Sequence, residues 1–295
     1  MPLGAHLALL LVQLSFATGA VEGKLAMAPL ADGGGGVSPL ALAMTRMLAA
    51  AIVFQGAGRA LGLVRAISRR DHLAVLGLAL LGVVVNQMLF LVGLRLTSAV
   101  SAALLCATIP IFTAVIAVAA RRERSSPRLV AGLVVAVLGV LWLTGVRSVD
   151  RGSLLVAANC LAYSAYVVFA RDVIVRLGAA TFITWVFTWG AIVLAPIGVP
   201  AVARDLPAWG ARAYVLVAIV VLVPTIIAYA VNAWALGRAE ATLVAIYVCL
   251  QPVLAAVLAR VQMGHALHAR MGGSAALIFA GVFLVATRRR APQGP

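Results

Sequence analysis

The sequence predicts an all-α integral membrane protein, with ten transmembrane helices arranged as two inverted five-helix repeats. Three observations carry that reading. Of the 295 residues, 64% are hydrophobic and only 11% are charged, against about half and roughly a quarter in an ordinary soluble domain. Runs such as 73–94, 97–120 and 214–235 match the roughly 20 apolar residues that a helix needs to cross hydrocarbon. The second half of the chain also repeats the spacing of the first. A soluble fold this apolar would lack the polar groups to cover its surface, so lipid is the solvent for much of it. A membrane β-barrel would show short segments with polar lumen positions. These runs are apolar all round and rich in Ala, Leu, Val and Gly.

Hydropathy and breaker residues place the spans in order. The first covers 5–24. Its apolar run and Ala-Thr-Gly-Ala stretch mimic a signal peptide, but no Lys or Arg precedes them. The repeat also needs this segment as its first helix. A Gly-rich stretch at 31–37 leads to the second span at 38–56, and the basic loop 57–71 leads to the third at 72–93. A tight turn opens the fourth, 97–119, and the fifth is 127–145. The second half reads as spans at 152–170, 180–202, 212–235, 240–260 and 270–287, with an arginine-bearing loop at 201–212. No soluble domain or long linker is expected. The first repeat is 1–148 and the second 149–290, followed by a short tail at 291–295.

The repeat is read from a shift of 142 positions, which brings the halves into register without a gap from about Gly93 onward. Pro110 meets Pro252, Arg128 meets Arg270, and Gly139-Val140 meets Gly281-Val282. Matches of Ala or Val mean little in so biased a composition; the proline, the Gly-Val pair and the unbroken spacing carry the weight. The first helices align at a slightly different offset, with Lys24 opposite Arg171. Five spans per copy is odd, so the second copy enters the membrane from the opposite side. Charge supports this. With the N-terminus inside, loops 57–71 and 121–128 are cytoplasmic and hold Arg59, Arg65, Arg69, Arg70, Arg121, Arg122, Arg124 and Arg128. Their external counterparts hold only Arg204 and Arg212, then Arg260 and Arg270. Arg288, Arg289 and Arg290 end the chain inside, so both termini are expected in the cytoplasm of a multi-pass cell-membrane protein.

The +15 formal charge is almost all arginine, with Lys24 the only lysine. In a soluble chain that balance would suggest nucleic acid. Here the arginines sit between apolar runs and orient helices, and no nucleic-acid partner is expected. Cys106, Cys160 and Cys249 all lie within apolar runs and read as small packing residues, with no disulfide or metal framework.

The stretch from Asn86 and Gln87 through Phe90, Gly93, Thr97, Ser98 and Ala99 is followed by Ile109-Pro110 and the basic end Arg121-Arg122-Glu123-Arg124. With Arg46, Gly132 and Gly139-Val140, it resembles the drug/metabolite transporter superfamily, specifically EamA-type carriers with two five-helix repeats. Trp234, Ala239-Glu240-Ala241 and Gln251-Pro252 extend the likeness into the second copy. The chain departs from the pattern where His265 stands opposite Glu123. The resemblance implies a secondary carrier whose central cavity is lined by helices 1, 3, 4, 6, 8 and 9, with helices 5 and 10 peripheral. It implies a small polar or amphipathic metabolite as substrate (amino acid, nucleoside-like or drug-like), moved across the cytoplasmic membrane by alternating access, often outward. No cofactor is implied. The partners expected are that solute and the lipid bilayer, for a monomer or weak homodimer.

Polar side chains within spans are the functional candidates on physical grounds, because stranding them in lipid is costly. The cavity candidates are Gln13, Thr18, Asn86, Gln87, Thr108, Asn159, Tyr163, Tyr229, Asn232, Tyr247 and Gln251. Amides are the most demanding, since both ends need partners. Serine and threonine hydroxyls often bond their own backbone or glue helices instead, and Tyr or Trp near span ends often anchors at the interface. Pro110 and Pro252, at equivalent depths, are hinge candidates whose bland alternative is a kink. Glu22, Arg46 and Glu240 are the charge and coupling candidates. Arg46, well inside the second span, reads first as structural and second as a contact for an anionic group.

An intramembrane enzyme or a channel are the competing classes. His265 and His268 have helical spacing but no nearby carboxylate or Cys, short of the three or four ligands that zinc takes. The glycines at 33–36 form a turn between spans and not a phosphate loop. No charged ring or filter-like repeat marks a channel.

Overall fold

The structure, a computed structural model, describes residues 3–97, 102, 105–106, 108–144, 151–251, 253–254, 257 and 269–287. Among the described residues there is no strand, and six helices are long and apolar enough to cross a membrane. In chain order the helices are α1 (Leu3–Met27), α2 (Pro39–Ala60), α3 (Arg69–Leu96), α4 (Ile109–Ala119) and α5 (Pro127–Thr144). They continue as α6 (Arg151–Leu177), α7 (Ala179–Asp205), α8 (Ala211–Leu236), α9 (Ala241–Ile246) and α10 (Ala269–Ala286). The shorter apolar helices are α4, α5, α10 and α9 with the turn that continues it.

Local chemistry sets the ends. Ser38 accepts a hydrogen bond from the Ala41 amide at 3.3 Å, and Pro39 occupies the first turn of α2. Ser68 caps α3 through the Asp71 amide at 3.1 Å, and Ser126 caps α5 through the Leu129 amide at 3.2 Å. A single residue, Gly178 at φ 84°, turns the chain from α6 into α7, a conformation that glycine adopts at little cost. Leu30–Asp32 is one 3-10 turn, closed by Gly33 at φ 70°. The Asp205 carboxylate then accepts the Ser38 amide at 2.9 Å, tying the end of α7 to the start of α2.

Two helices contain a wider turn at matching places. The backbone of α3 is π-helical over Leu80–Val85, and that of α8 is π-helical over Leu222–Ile227. Such turns are rare and leave backbone groups in need of other partners. Both start and both end 142 positions apart, the shift at which the sequence repeats.

Packing has the same periodicity. α2 lies along α7, α5 along α10 and α4 against α9, each helix on its counterpart. α3 packs on α6, and α8 packs correspondingly on α1. The α5–α10 crossing is close because glycines face each other. A Cβ on Gly132 would lie 2.8 Å from the Gly281 carbonyl oxygen, and one on Gly281 would lie 2.6 Å from that of Gly132. At α1–α8, a Cβ on Gly19 would stand 2.5 Å from the Pro224 ring. At α3–α6, one on Gly82 would stand 2.1 Å from the Tyr166 ring. The buried core runs through the middle of the bundle, while Leu154, Val115 and Phe283 are 61–66% exposed on its outside. An apolar outer face of this kind suits lipid.

The structure differs from the sequence expectation in the ninth span. Of the fourth, expected over 97–119, Ala102, Leu105, Cys106 and Ile109–Ala119 are helical, with a turn at Thr108. The ninth is expected as one helix over 240–260; α9 instead tightens after Ile246 into a 3-10 turn, Tyr247–Leu250. Ser98, Ser101, Pro252, His265 and His268 lie outside the described residues.

Candidate functional site

At the centre of the bundle is a cavity of about 160 Å³, walled by α1, α2, α3, α4, α6, α8 and the α9 segment. Both halves of the chain contribute polar groups. Asn86 and Gln87 stand just beyond the π-helical turn of α3, and Tyr229 stands just beyond that of α8. The wide turn shifts the register of the helical residues after it, which is a recurrent way to aim side chains at a site.

Arg46 of α2 links the two turns. Its Nε donates to Thr225 Oγ1 at 2.7 Å, and its Nη1 donates to Gln87 Oε1 at 2.6 Å. Thr225 passes its own hydrogen to the Val220 carbonyl at 2.8 Å, satisfying an oxygen next to the π-helical turn. Because the Gln87 oxygen faces the guanidinium, its amide nitrogen points the other way and donates to the Tyr229 hydroxyl at 3.2 Å. The result is a chain of bonds from Arg46 through Gln87 to Tyr229. The Tyr229 ring is held edge-on between Phe16 and Phe187, at centroid distances of 5.8 and 5.1 Å.

A second set lies in and just behind the wall. Asn159 Nδ2 donates to the backbone oxygen of Asn86 at 2.9 Å, and Asn232 Nδ2 donates to the Tyr163 hydroxyl at 3.3 Å. Gln251 Nε2 donates to Gln13 Oε1 at 2.7 Å. The Asn232 side-chain oxygen is buried without a hydrogen-bond partner.

Of the residues singled out in the sequence, Arg46, Asn86, Gln87, Asn159, Tyr163, Tyr229 and Gln251 share the cavity wall. Gln13 and Asn232 sit one hydrogen bond behind it. Thr18 and Thr108 spend their hydroxyls on the Leu14 and Leu105 carbonyls at 3.0 and 2.6 Å and are not in the wall. Tyr247 bonds His6 in a separate groove beside Phe279 and Phe283. Pro110 occupies the first turn of α4, where a proline costs no ladder bond. Glu22 is half-buried on α1, and Glu240 holds the position before α9; neither lines the cavity. Arg46 bonds neutral partners and not Glu22. Among the described residues no cluster of three His, Cys, Asp or Glu side chains could hold a metal ion.

Sequence reasoning passed over Phe16, Gly19 and Pro224, which also line the wall, and Thr225, which holds Arg46, and it read Phe90 only as part of the motif. The shift of 142 held a usable signal for one of them, since it sets Pro224 against Gly82.

A family model described as the EamA-like transporter family matches residues 3–145 and again 150–287. A solved structure titled "Crystal structure of protein" is 20% identical, with 96% of each chain covered and a TM-score of 0.74. At that identity the likeness concerns the fold alone. No curated protein matches the chain.

Proposed function

We propose that this chain, which belongs to the EamA-like transporter family, is a secondary carrier that moves a small polar or amphipathic solute across the cell membrane by alternating access. One observation carries the reading: both repeats contribute amides, and the second adds two phenols, to one central cavity at their junction. Amides, hydroxyls and aromatic rings suit a compact solute with hydrogen-bonding groups and an apolar part. Polar groups kept inside a membrane bundle mark a transport path more often than they serve packing.

In this reading the chain makes ten spans, as inverted repeats over 1–148 and 149–290, with both termini in the cytoplasm. The two repeats rock against each other around a fixed site. The paired π-helical turns are the places where α3 and α8 change pitch during that motion. Export is the proposed direction, by a monomer or weak homodimer, with no cofactor.

The test is a metabolite screen of cells with and without the protein, comparing internal and external pools, followed by flux of the responding solute into proteoliposomes. A solute that shifts outward in cells and crosses liposomes only with the protein present is the expected result. Hydrolytic turnover of a solute with no flux would replace the carrier with an intramembrane enzyme.

A further inference from the structure

Among the described residues, the cation at the central cavity has no anion beside it. Arg46 is only 7% exposed, and its guanidinium stays protonated at any accessible pH. A buried charge is tolerated when it is paired or fully hydrogen-bonded, and its desolvation is costly otherwise. The hydrogen bonds described for Arg46 both go to neutral acceptors, Thr225 and Gln87. The ion pairs among the described residues, Arg122–Asp172, Arg176–Asp71 and Arg204–Asp205, all involve other arginines. Of the acidic residues described in the structure, none lines the cavity that Arg46 faces.

The groups around Arg46 hold it and leave its charge uncancelled. Thr225 has committed its hydrogen to Val220, and Gln87 has committed its amide nitrogen to Tyr229, so each presents only an oxygen to the guanidinium. Nε and Nη1 are thereby fixed, which pins the plane of the group while it borders the cavity. A pinned, planar, permanently charged donor is suited to a carboxylate or phosphate oxygen. Across the same cavity, Phe16, Phe90 and Tyr163 offer apolar surface to the rest of such a molecule.

We propose that the transported solute is a small organic anion whose carboxylate oxygen pairs with Arg46 in the central cavity. This rests on the carrier reading above and adds the charge class of the cargo. The anion supplies the missing negative partner, so its release costs the ion pair, and exchange for a second anion is favoured over return of the empty carrier.

The experiment uses the full chain in detergent and in liposomes, with N-acetylated alanine, leucine and phenylalanine as probes, each as the free carboxylate and as the neutral primary amide. Inorganic phosphate and chloride are separate arms. At least one carboxylate should raise the thermal midpoint and bind tenfold or more tighter than its own amide. Arg46→Gln should abolish that difference, and Arg46→Lys should retain part of it. Retention of charge preference by Lys separates an electrostatic role from a purely structural one. Equal binding of carboxylates and amides, or no binding of any carboxylate, overturns the proposal. So does phosphate or chloride stabilising the protein as well as the best carboxylate, since Arg46 would then carry an inorganic counter-ion. Protein-dependent flux of the amides without preference for the acids would overturn this proposal and leave the carrier standing. Protein that drives no flux in the metabolite screen would end the carrier reading itself.

Discussion

Gln87 and Tyr229 stand 142 positions apart in the chain and meet in a hydrogen bond of 3.2 Å at the centre of the bundle. The separation equals the repeat length, so the two residues occupy one position of the repeat, filled once by an amide and once by a phenol. Each stands just after a π-helical turn at the matching place. The junction between the repeats is thus closed by equivalent positions that chose complementary chemistry. Tyr229→Phe should slow transport about fivefold, from the loss of roughly 1 kcal/mol of net hydrogen bonding, and Gln87→Leu should slow it more, because it also removes the acceptor for Arg46. The double variant should be no slower than Gln87→Leu alone, because that variant already removes the Gln87–Tyr229 bond. Initial rates in proteoliposomes check this; simple multiplication of the two defects would count against the coupling.

The close approach of α3 to α6 depends on one missing methyl group. A Cβ on Gly82 would lie 2.1 Å from the Tyr166 ring, whereas one on Gly77 of the same helix meets nothing within 4 Å. Gly82→Ala should therefore lower stability by about 1–3 kcal/mol through overpacking. Gly77→Ala should be neutral or slightly stabilising, since alanine is the better helix former. Thermal midpoints in detergent provide the comparison.

Two cations bond backbone oxygens at equivalent corners. Lys24 Nζ donates to the Thr97 carbonyl at 3.1 Å, and Arg171 Nε donates to the Ala239 carbonyl at 2.7 Å. Thr97 and Ala239 are separated by the repeat length, and the two cations lie towards the C-terminal end of the first helix of each copy. In the proposed inverted arrangement these corners face opposite sides of the membrane. Lys24→Met should bias the carrier towards opening on one side, and Arg171→Met should bias it towards the other. Each charged hydrogen bond is worth about 1.5–3 kcal/mol, enough for a tenfold shift in population. Accessibility of single cysteines introduced into the cavity wall, probed from each side, measures it. A shift in the same direction for both variants would contradict the pairing.

Arginine distribution gives a fourth prediction. Reporter fusions at 121–128 should read as cytoplasmic, because that loop carries Arg121, Arg122, Arg124 and Arg128. A signal from the external side there would invert the proposed topology.

Much of this was legible in the sequence, and the rest failed for identifiable reasons. The apolar runs located α1, α2, α3, α7 and α8 within a few residues, because length and hydropathy constrain a spanning helix directly, while α6 runs seven residues past its expected end, to Leu177. The repeat was legible from Pro110, Gly139 and Val140 and their partners. The π-helical turns were not, since Leu80–Val85 and Leu222–Ile227 read as ordinary apolar helix. Amides proved more informative than hydroxyls. Asn86, Gln87, Asn159 and Gln251 cannot satisfy both ends on their own helix, whereas Thr18 and Thr108 can bond their own backbone and do so. From its residues alone, Arg46 reads as structural or as an anion contact. Its geometry allows both, with two bonds to helix side chains and a face on the cavity.

The most direct test of a transport site at the repeat junction compares three alanine variants in proteoliposomes, once a transported solute is in hand. Asn86 and Gln251 line the cavity, while Ser274 is buried on α10 with an unpartnered hydroxyl and is absent from the wall. At matched folding by size exclusion, Asn86→Ala and Gln251→Ala should each cut the initial rate tenfold or more, and Ser274→Ala should leave it within twofold of wild type. Equal rates for all three would contradict the assignment of the cavity as the transport site.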